Sequence, residues 1–293
     1  MSELTHAYLL AGISTLCWGV IVVPVKLAKT SGRLGIGISM LTGSVVMLAL
    51  AGRQMWGALG MSAQDAALFL VTGGLQFALG CMFYYESIRR GSLSVAVPVT
   101  RVKVIIILLF AIALGLEVFS WPLLAACLLV VAGGVLVSLR PVNARVDRAG
   151  ESHGLSLLFA ALACLCWAAG ETLIAKLPKS ISPMAANGLL LWSGLALYGV
   201  YALVSGAWRE FRRVPKRDVL CYVAHGLISF SIAYVLFVQA IRIAGPARIS
   251  CVTSTYPLIS AVIGWVALGE RFFWGVAAGA VLLVGGVVLL QVA

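Results

Sequence analysis

Of the 293 residues, 62% are hydrophobic and 11% are charged, against about 45–50% apolar and about 25% charged in an ordinary soluble domain. That surplus excludes a soluble core. The formal net charge of +11 is not a nucleic-acid signature either, because the basic residues fall between apolar stretches and build no amphipathic or aromatic-interleaved face.

At about 20 apolar residues per crossing, the chain has room for ten membrane helices and short loops. Apolar runs between charged or Gly/Pro-rich breaks place them at about 7–26, 34–52, 65–88, 93–114, 118–139, 154–175, 185–205, 218–241, 247–268 and 272–291. The first run has no small-residue cleavage pattern and is read as a span, not a signal peptide. The polar stretch Arg140 to His153 carries both charge signs with a Pro and a Gly, and reads as a linker. The expected organisation is a five-helix repeat over 1–140, a linker over 141–153 and a second five-helix repeat over 154–293. The seven cysteines (Cys17, Cys81, Cys127, Cys164, Cys166, Cys221, Cys251) all lie in apolar segments without CxxC spacing. They read as small packing residues, neither a disulfide frame nor a metal site.

The two halves repeat each other. Leu16-Cys17-Trp18 matches Leu165-Cys166-Trp167, and Lys29-Thr30 matches Lys179-Ser180, at an offset of about 150. Asp65 matches Asp218, Phe77 matches Phe230, Glu86 matches Gln239, Glu117 matches Glu270 and Trp121 matches Trp274, at an offset of about 153. Five spans per repeat is an odd number, so the second repeat lies inverted in the membrane. The fold class is therefore an all-α membrane protein of ten helices in two inverted five-helix repeats. In that design the solute site lies near the midplane between repeats, and access alternates.

The fourth span carries Pro98-Val99-Thr100-Arg101-Val102-Lys103. Each cation at a helix centre costs roughly 2.5–3.5 kcal/mol, while each Ile, Leu or Phe returns about 0.3–0.6. Both cations therefore face water, a carboxylate or the solute. Residues two apart on a regular helix point about 200° from each other, so Arg101 and Lys103 share a cavity only if Pro98 breaks the helix. Otherwise one serves the solute and the other pairs internally, with Glu86 the candidate partner. The matching stretch in span 9, Thr253-Ser254-Thr255-Tyr256-Pro257, offers hydroxyls where span 4 offers cations. That asymmetry favours a solute with an anionic end.

The residues Cys17-Trp18-Gly19, Cys166-Trp167, Ala113-Leu114-Gly115-Leu116-Glu117 and Ala267-Leu268-Gly269-Glu270, with Pro98 and Pro257, resemble the ten-helix, EamA-type members of the drug/metabolite transporter superfamily over essentially the whole chain. The first Leu-Gly-Glu ending departs from the family's form by the inserted Leu116. The resemblance implies a central cavity lined by helices 1, 3, 4, 6, 8 and 9. Glu117 and Glu270 are expected to cap the helix that each precedes.

The candidate solute-binding residues are thus Thr100, Arg101, Lys103, Thr253, Tyr256, Glu86, Trp18 and Trp167. His225 and Glu171 are the candidates for proton coupling, His225 because its unperturbed pKa lies near 6.5, with a packing role as the alternative for each. No GxSxG, HExxH, Walker loop or glycine fingerprint is present, so no enzyme activity, cofactor or metal is expected. The expected function is secondary transport, in the export direction, of small polar or anionic metabolites such as amino or organic acids across a bacterial inner membrane. A sugar-phosphate or nucleotide-sugar exchanger and an intramembrane lipid-handling protein or enzyme are the alternatives. The partners are the solute and the lipid bilayer, with no nucleic acid. Gly275 and Gly279 form a GxxxG spacing that serves either a homodimer or internal packing.

Loops after spans 1, 3, 5, 7 and 9 hold about fourteen Lys/Arg and the opposite side about five. The charge rule therefore puts the Arg209–Arg217 loop in the cytoplasm and both termini outside, whereas relatives of this type are drawn with both termini inside.

Overall fold

The computed structural model describes residues 2–90, 93–138, 153–268 and 274–292, which form helices joined by short turns with no strand among them. Glu270 and all but the last residue of the 141–153 linker lie outside this set. In chain order the helices are α1 (Glu3–Leu27), α2 (Gly32–Gly57), α3 (Ala63–Arg90), α4 in two pieces (Leu93–Arg101 and Lys103–Ala113) and α5 (Trp121–Ser138). The second half repeats this with α6 (His153–Ile174), α7 (Pro183–Val204), α8 (Lys216–Ala244), α9 in two pieces (Pro246–Thr253 and Tyr256–Leu268) and α10 (Trp274–Leu289). Among the described residues nine helices are long and apolar enough to cross a membrane, and α10 is a shorter apolar one.

Several helices start a few residues before their apolar run, because a serine supplies the first acceptor. Ser2 accepts from the Thr5 N–H, Ser62 from Asp65 and Ser182 from Ala185. Burial is opposite to that of a soluble bundle. Leu9, Leu48, Val200 and Val281 point outward, whereas Ser14, Ser39, Gln76, Asn187 and Ser250 are buried. Hydrocarbon does not penalise an outward leucine, and helices in it associate through close packing and internal hydrogen bonds. Gly279 shows the close packing: a Cβ there would lie 2.7 Å from the Gly133 carbonyl of α5. The GxxxG spacing is thus used inside the chain, at least at Gly279.

The repeat is visible in space. Phe77 and Phe230, mates by sequence, meet with ring centroids 5.2 Å apart. Trp18 of α1 packs edge-on to Phe237 of α8 at 5.2 Å, and its mate Trp167 of α6 packs on Tyr84 of α3, the mate of Phe237, also at 5.2 Å. Each half thus inserts its first helix against the third helix of the other.

Helices α3 and α8 both contain a π-helical turn, at Gly74–Leu79 and Gly226–Ala233. Such turns loosen the ladder, and groups from elsewhere bond to carbonyls within them. The Trp167 indole donates to the Gln76 carbonyl at 3.1 Å, Asn187 to Phe230 at 2.7 Å and Ser14 to Ala233 at 3.0 Å.

Helices α4 and α9 break at the same register. Val102 N–H bonds to the Val99 carbonyl and Ile105 N–H to Val102. Their mates repeat this, Thr255 to Val252 and Leu258 to Thr255, with distances of 3.2 and 3.0 Å in both halves. The ladder thus steps from i−4 to i−3 at Val102 and Thr255. Pro98 lies before one break and Pro257 after the other, so neither proline alone sets the position. What the two breaks share is a threonine just before them: Thr100 donates to the Val97 carbonyl at 2.8 Å and Thr253 to Ile249 at 3.1 Å. Hydroxyls that bond back to the preceding turn compete with the ladder and bend helices.

Candidate functional site

Arg101 and Lys103, on either side of the break in α4, have different partners. Arg101, 6% exposed, donates from Nη2 to the Tyr256 hydroxyl at 2.7 Å, with its guanidinium carbon 4.8 Å from the Tyr256 ring centre. This joins the two breaks directly, since Tyr256 is the repeat mate of Lys103. The Arg101 stem reaches there across α5 at Gly134, where a Cβ would stand 3.2 Å from its Cδ. Arg101 Nε is buried without a partner.

Lys103 pairs with Glu171 of α6, whose side chain is 3% exposed, and Glu171 Oε2 accepts from the Ser250 hydroxyl of α9 at 2.8 Å. One carboxylate thus ties α4, α6 and α9 together. Glu86 is not the partner of either cation. It accepts from Arg89 at 2.5 and 2.8 Å and from Arg90 at 2.7 Å on its own helix. Removing a charge from water is tolerable when its partner is one turn away, and Glu86 finds two such arginines near the end of α3.

The other sequence candidates divide. Trp18 and Trp167 are half-buried on the paired aromatic contacts already described, and Tyr84 joins the Trp167 side. Thr100 and Thr253 are buried, and their hydroxyls are spent on their own helices. His225 sits edge-on to Phe230 at 5.0 Å with Nδ1 buried and unbonded, and no hydrogen bond joins it to Arg101, Lys103 or Glu171. Ser250, Gly134 and Tyr84 were not singled out by the sequence. A signal existed for Glu171 as a site residue, because it lies one helical turn after Trp167 and so on the same face.

Glu117 does not cap the helix that follows it. The Ser120 hydroxyl accepts there from Leu123 at 3.2 Å, while Glu117 Oε1 accepts from the Ala247 N–H of α9 at 2.7 Å. Burial raises the Glu117 carboxyl above its ordinary 4.5, against the lowering pull of the Ala247 N–H and Arg248. The carboxylate meets the positive end of a helix from the opposite repeat. Glu270, its mate, lies outside the described residues.

The arrangement presents two cations and one carboxylate between aromatic walls at the junction of two broken helices. Among the described residues no group of three His, Cys, Asp or Glu side chains could hold a metal ion.

Comparison with known proteins gives the family and the fold. The profile of the EamA-like transporter family matches residues 5–139 and 154–292. An uncharacterized transporter of Archaeoglobus fulgidus is 27% identical over 232 residues, covering 78% of this chain and 76% of that one. A WAT1-related protein of Arabidopsis thaliana is 21% identical over 248 residues, covering 76% and 67%. A solved crystal structure shares the fold with a TM-score of 0.79 at 17% identity, covering 98% of this chain and 97% of that one.

Proposed function

Because the chain belongs to the EamA-like transporter family, a family of multi-pass membrane carriers, we propose that it exports small polar or anionic metabolites, amino or organic acids among them. The exchange is secondary transport by alternating access across a bacterial inner membrane. The observation that carries this reading is the charge balance at the helix breaks. Lys103 is neutralised by Glu171, whereas Arg101 has only the neutral Tyr256 hydroxyl and an unfilled Nε. A buried guanidinium without a counter-ion is expensive in hydrocarbon, and a solute carboxylate supplies the missing charge and accepts the free N–H. Trp18, Trp167, Tyr84 and Tyr256 give the solute's remaining surface an aromatic wall with hydroxyl and indole donors.

Glu171 is the proton-coupling group in this reading. Its carboxylate is the group that ties α4, α6 and α9 together. His225, isolated on Phe230, takes no part.

Purified protein in proteoliposomes tests the proposal against a metabolite panel. Uptake of carboxylate-bearing solutes without chemical change, insensitive to ATP and sensitive to a pH gradient, is the expected result. Preference for cations, or formation of a product, would sink it.

A further inference from the structure

In an inverted repeat, access alternates as one half rocks against the other around a fixed site, so the equivalent ends of the two halves open in turn. A contact between halves that is made once in this structure, and whose mate residues keep the same chemistry but stand apart, therefore marks a contact that changes hands. Asp218, 3% exposed at the start of α8, is such a residue. Its Oδ2 accepts from the Lys29 N–H at 2.9 Å, the Thr30 N–H at 2.7 Å and the Thr30 hydroxyl at 2.6 Å. Three donors of the α1–α2 turn in the first half thus converge on one oxygen of the second half.

The mates are all present. Asp65 stands where Asp218 stands, and Lys179-Ser180 in the α6–α7 turn stand where Lys29-Thr30 stand. Yet among the described residues Asp65 bonds to its own capping serine, the Ser62 hydroxyl donating to Asp65 Oδ2 at 2.8 Å and accepting from the Asp65 N–H at 3.1 Å, and has no hydrogen bond to Lys179 or Ser180. Asp65 and Ser180 instead line one cavity of about 510 Å³, with Gln54 and Ser182 hydrogen-bonded to each other beside it.

We propose that Asp218 with Lys29-Thr30, and Asp65 with Lys179-Ser180, are a pair of exchanging latches. The first is engaged in this structure and the second is released. In the opposite-facing state the cavity closes, Asp65 accepts from the Lys179 and Ser180 N–H groups and the Ser180 hydroxyl, and Asp218 lets go of Thr30. The two turns are braced differently. Tyr198 donates to the Arg33 carbonyl at 2.8 Å, Tyr222 donates to the Thr30 carbonyl at 3.2 Å, and Arg33 reaches the Tyr201 hydroxyl at 3.4 Å. All three brace the engaged turn. The mate of Tyr222 is Phe69, and α2, the counterpart of α7, contains no tyrosine. The engaged turn thus carries tyrosine braces that its mate lacks, while the released turn is held by Arg242, which donates to the Ile181 and Pro178 carbonyls at 2.6 and 3.3 Å.

The inference rests on alternating access but not on any solute. Its test is a spin-label distance measurement on the whole chain in lipid nanodiscs, with no solute added. Labels are carried on an introduced keto-bearing residue so that the seven native cysteines stay. The mated pairs Gln64/Lys179 and Arg217/Lys29 report the two ends; all four residues are exposed. The wild type is expected to show two populations at each pair, the short distance at one accompanying the long distance at the other. Asp65→Asn lowers the short Gln64/Lys179 population about tenfold, the scale of a lost hydrogen-bond set to a charge. Asp218→Asn raises it, and Thr30→Val raises it less. If Asp218→Asn fails to fold, Asp65→Asn and Thr30→Val carry the test, since the Asp65 contact is unmade here. A Gln64/Lys179 distribution unchanged by Asp65→Asn, a single wild-type population, or both pairs shortening together overturns the proposal. A chain that exchanges latches yet moves no metabolite refutes the proposed function and leaves the latches standing.

Discussion

Lys103 and Glu171 form a buried ion pair that joins the fourth helix of the first repeat to the first helix of the second. Arg101, two residues earlier, meets only a neutral hydroxyl. The two cations therefore answer differently to removal. Lys103→Ala strands the Glu171 charge, and breaking a buried pair on one side costs about 3–5 kcal/mol. Arg101→Ala strands nothing charged. Lys103→Ala should lower both the thermal midpoint in detergent and flux, whereas Arg101→Ala should abolish flux with a far smaller loss of stability. Equal melting shifts for the two variants would contradict the pairing.

Gly134 sets the room for the Arg101 stem, with 3.2 Å between an added Cβ and Arg101 Cδ. A flexible stem can give a few tenths of an ångström, so Gly134→Ala should retain transport. Gly134→Leu fills the path, at about 1–3 kcal/mol for overpacking, and should reproduce the flux loss of Arg101→Ala. Transport by Gly134→Leu at wild-type rate would mean that Arg101 does not reach the solute from this position.

The Glu117 carboxyl gives a pH dependence with a defined sign. Burial raises its folded value above the ordinary 4.5, so the fold binds this proton more tightly than the unfolded chain does. Its contribution to stability is complete below pH 4.5 and is lost as pH rises through the raised value. Glu117→Gln keeps an acceptor for Ala247 and removes the titration. Melting curves at about pH 4 and about pH 7 should therefore show the variant gaining on the wild type at the higher pH, bracketing the ordinary carboxylate range. A difference that does not move with pH would show that Glu117 titrates normally.

The charge rule places the α7–α8 loop in the cytoplasm. Ser205 is exposed there, while Ala207 is buried and unsuitable as a probe. A cysteine at Ser205 in a cysteine-free variant should resist a membrane-impermeant maleimide on intact cells and react after lysis. Labelling on intact cells reverses the orientation.

Much of the fold was legible because hydrocarbon imposes a simple pattern on sequence. The ten apolar runs agree with α1 to α10 to within a few residues; that the matched residues Phe77 and Phe230 meet is seen only in space. The two cations of α4 were legible as charges needing partners through their insertion cost. Their partners were not. Sequence proximity favoured Glu86, whose local arginines satisfy it, while Glu171 becomes adjacent only when α6 of the inverted half packs against α4. A helix break at Pro98 was one of two alternatives; the break falls at Val102, and the same i−3 bonds recur at Thr255 with its proline on the other side. Asp218 and Asp65 are alike in the sequence, and the tyrosines that brace only the Asp218 turn take on meaning once the two turns are seen in space.

Glu117 completes a helix that its own half does not contain. Cut between residues 139 and 152, the chain becomes two pieces, and the second piece presents the Ala247 N–H at the start of α9 without the acceptor that the first supplies. Made together with its partner, the two should recover each other, as subunits of a heterodimer do. The duplicated halves are thereby bound to a common fate: drift in the segment around Glu117 of one is tested at once by the helix end of the other.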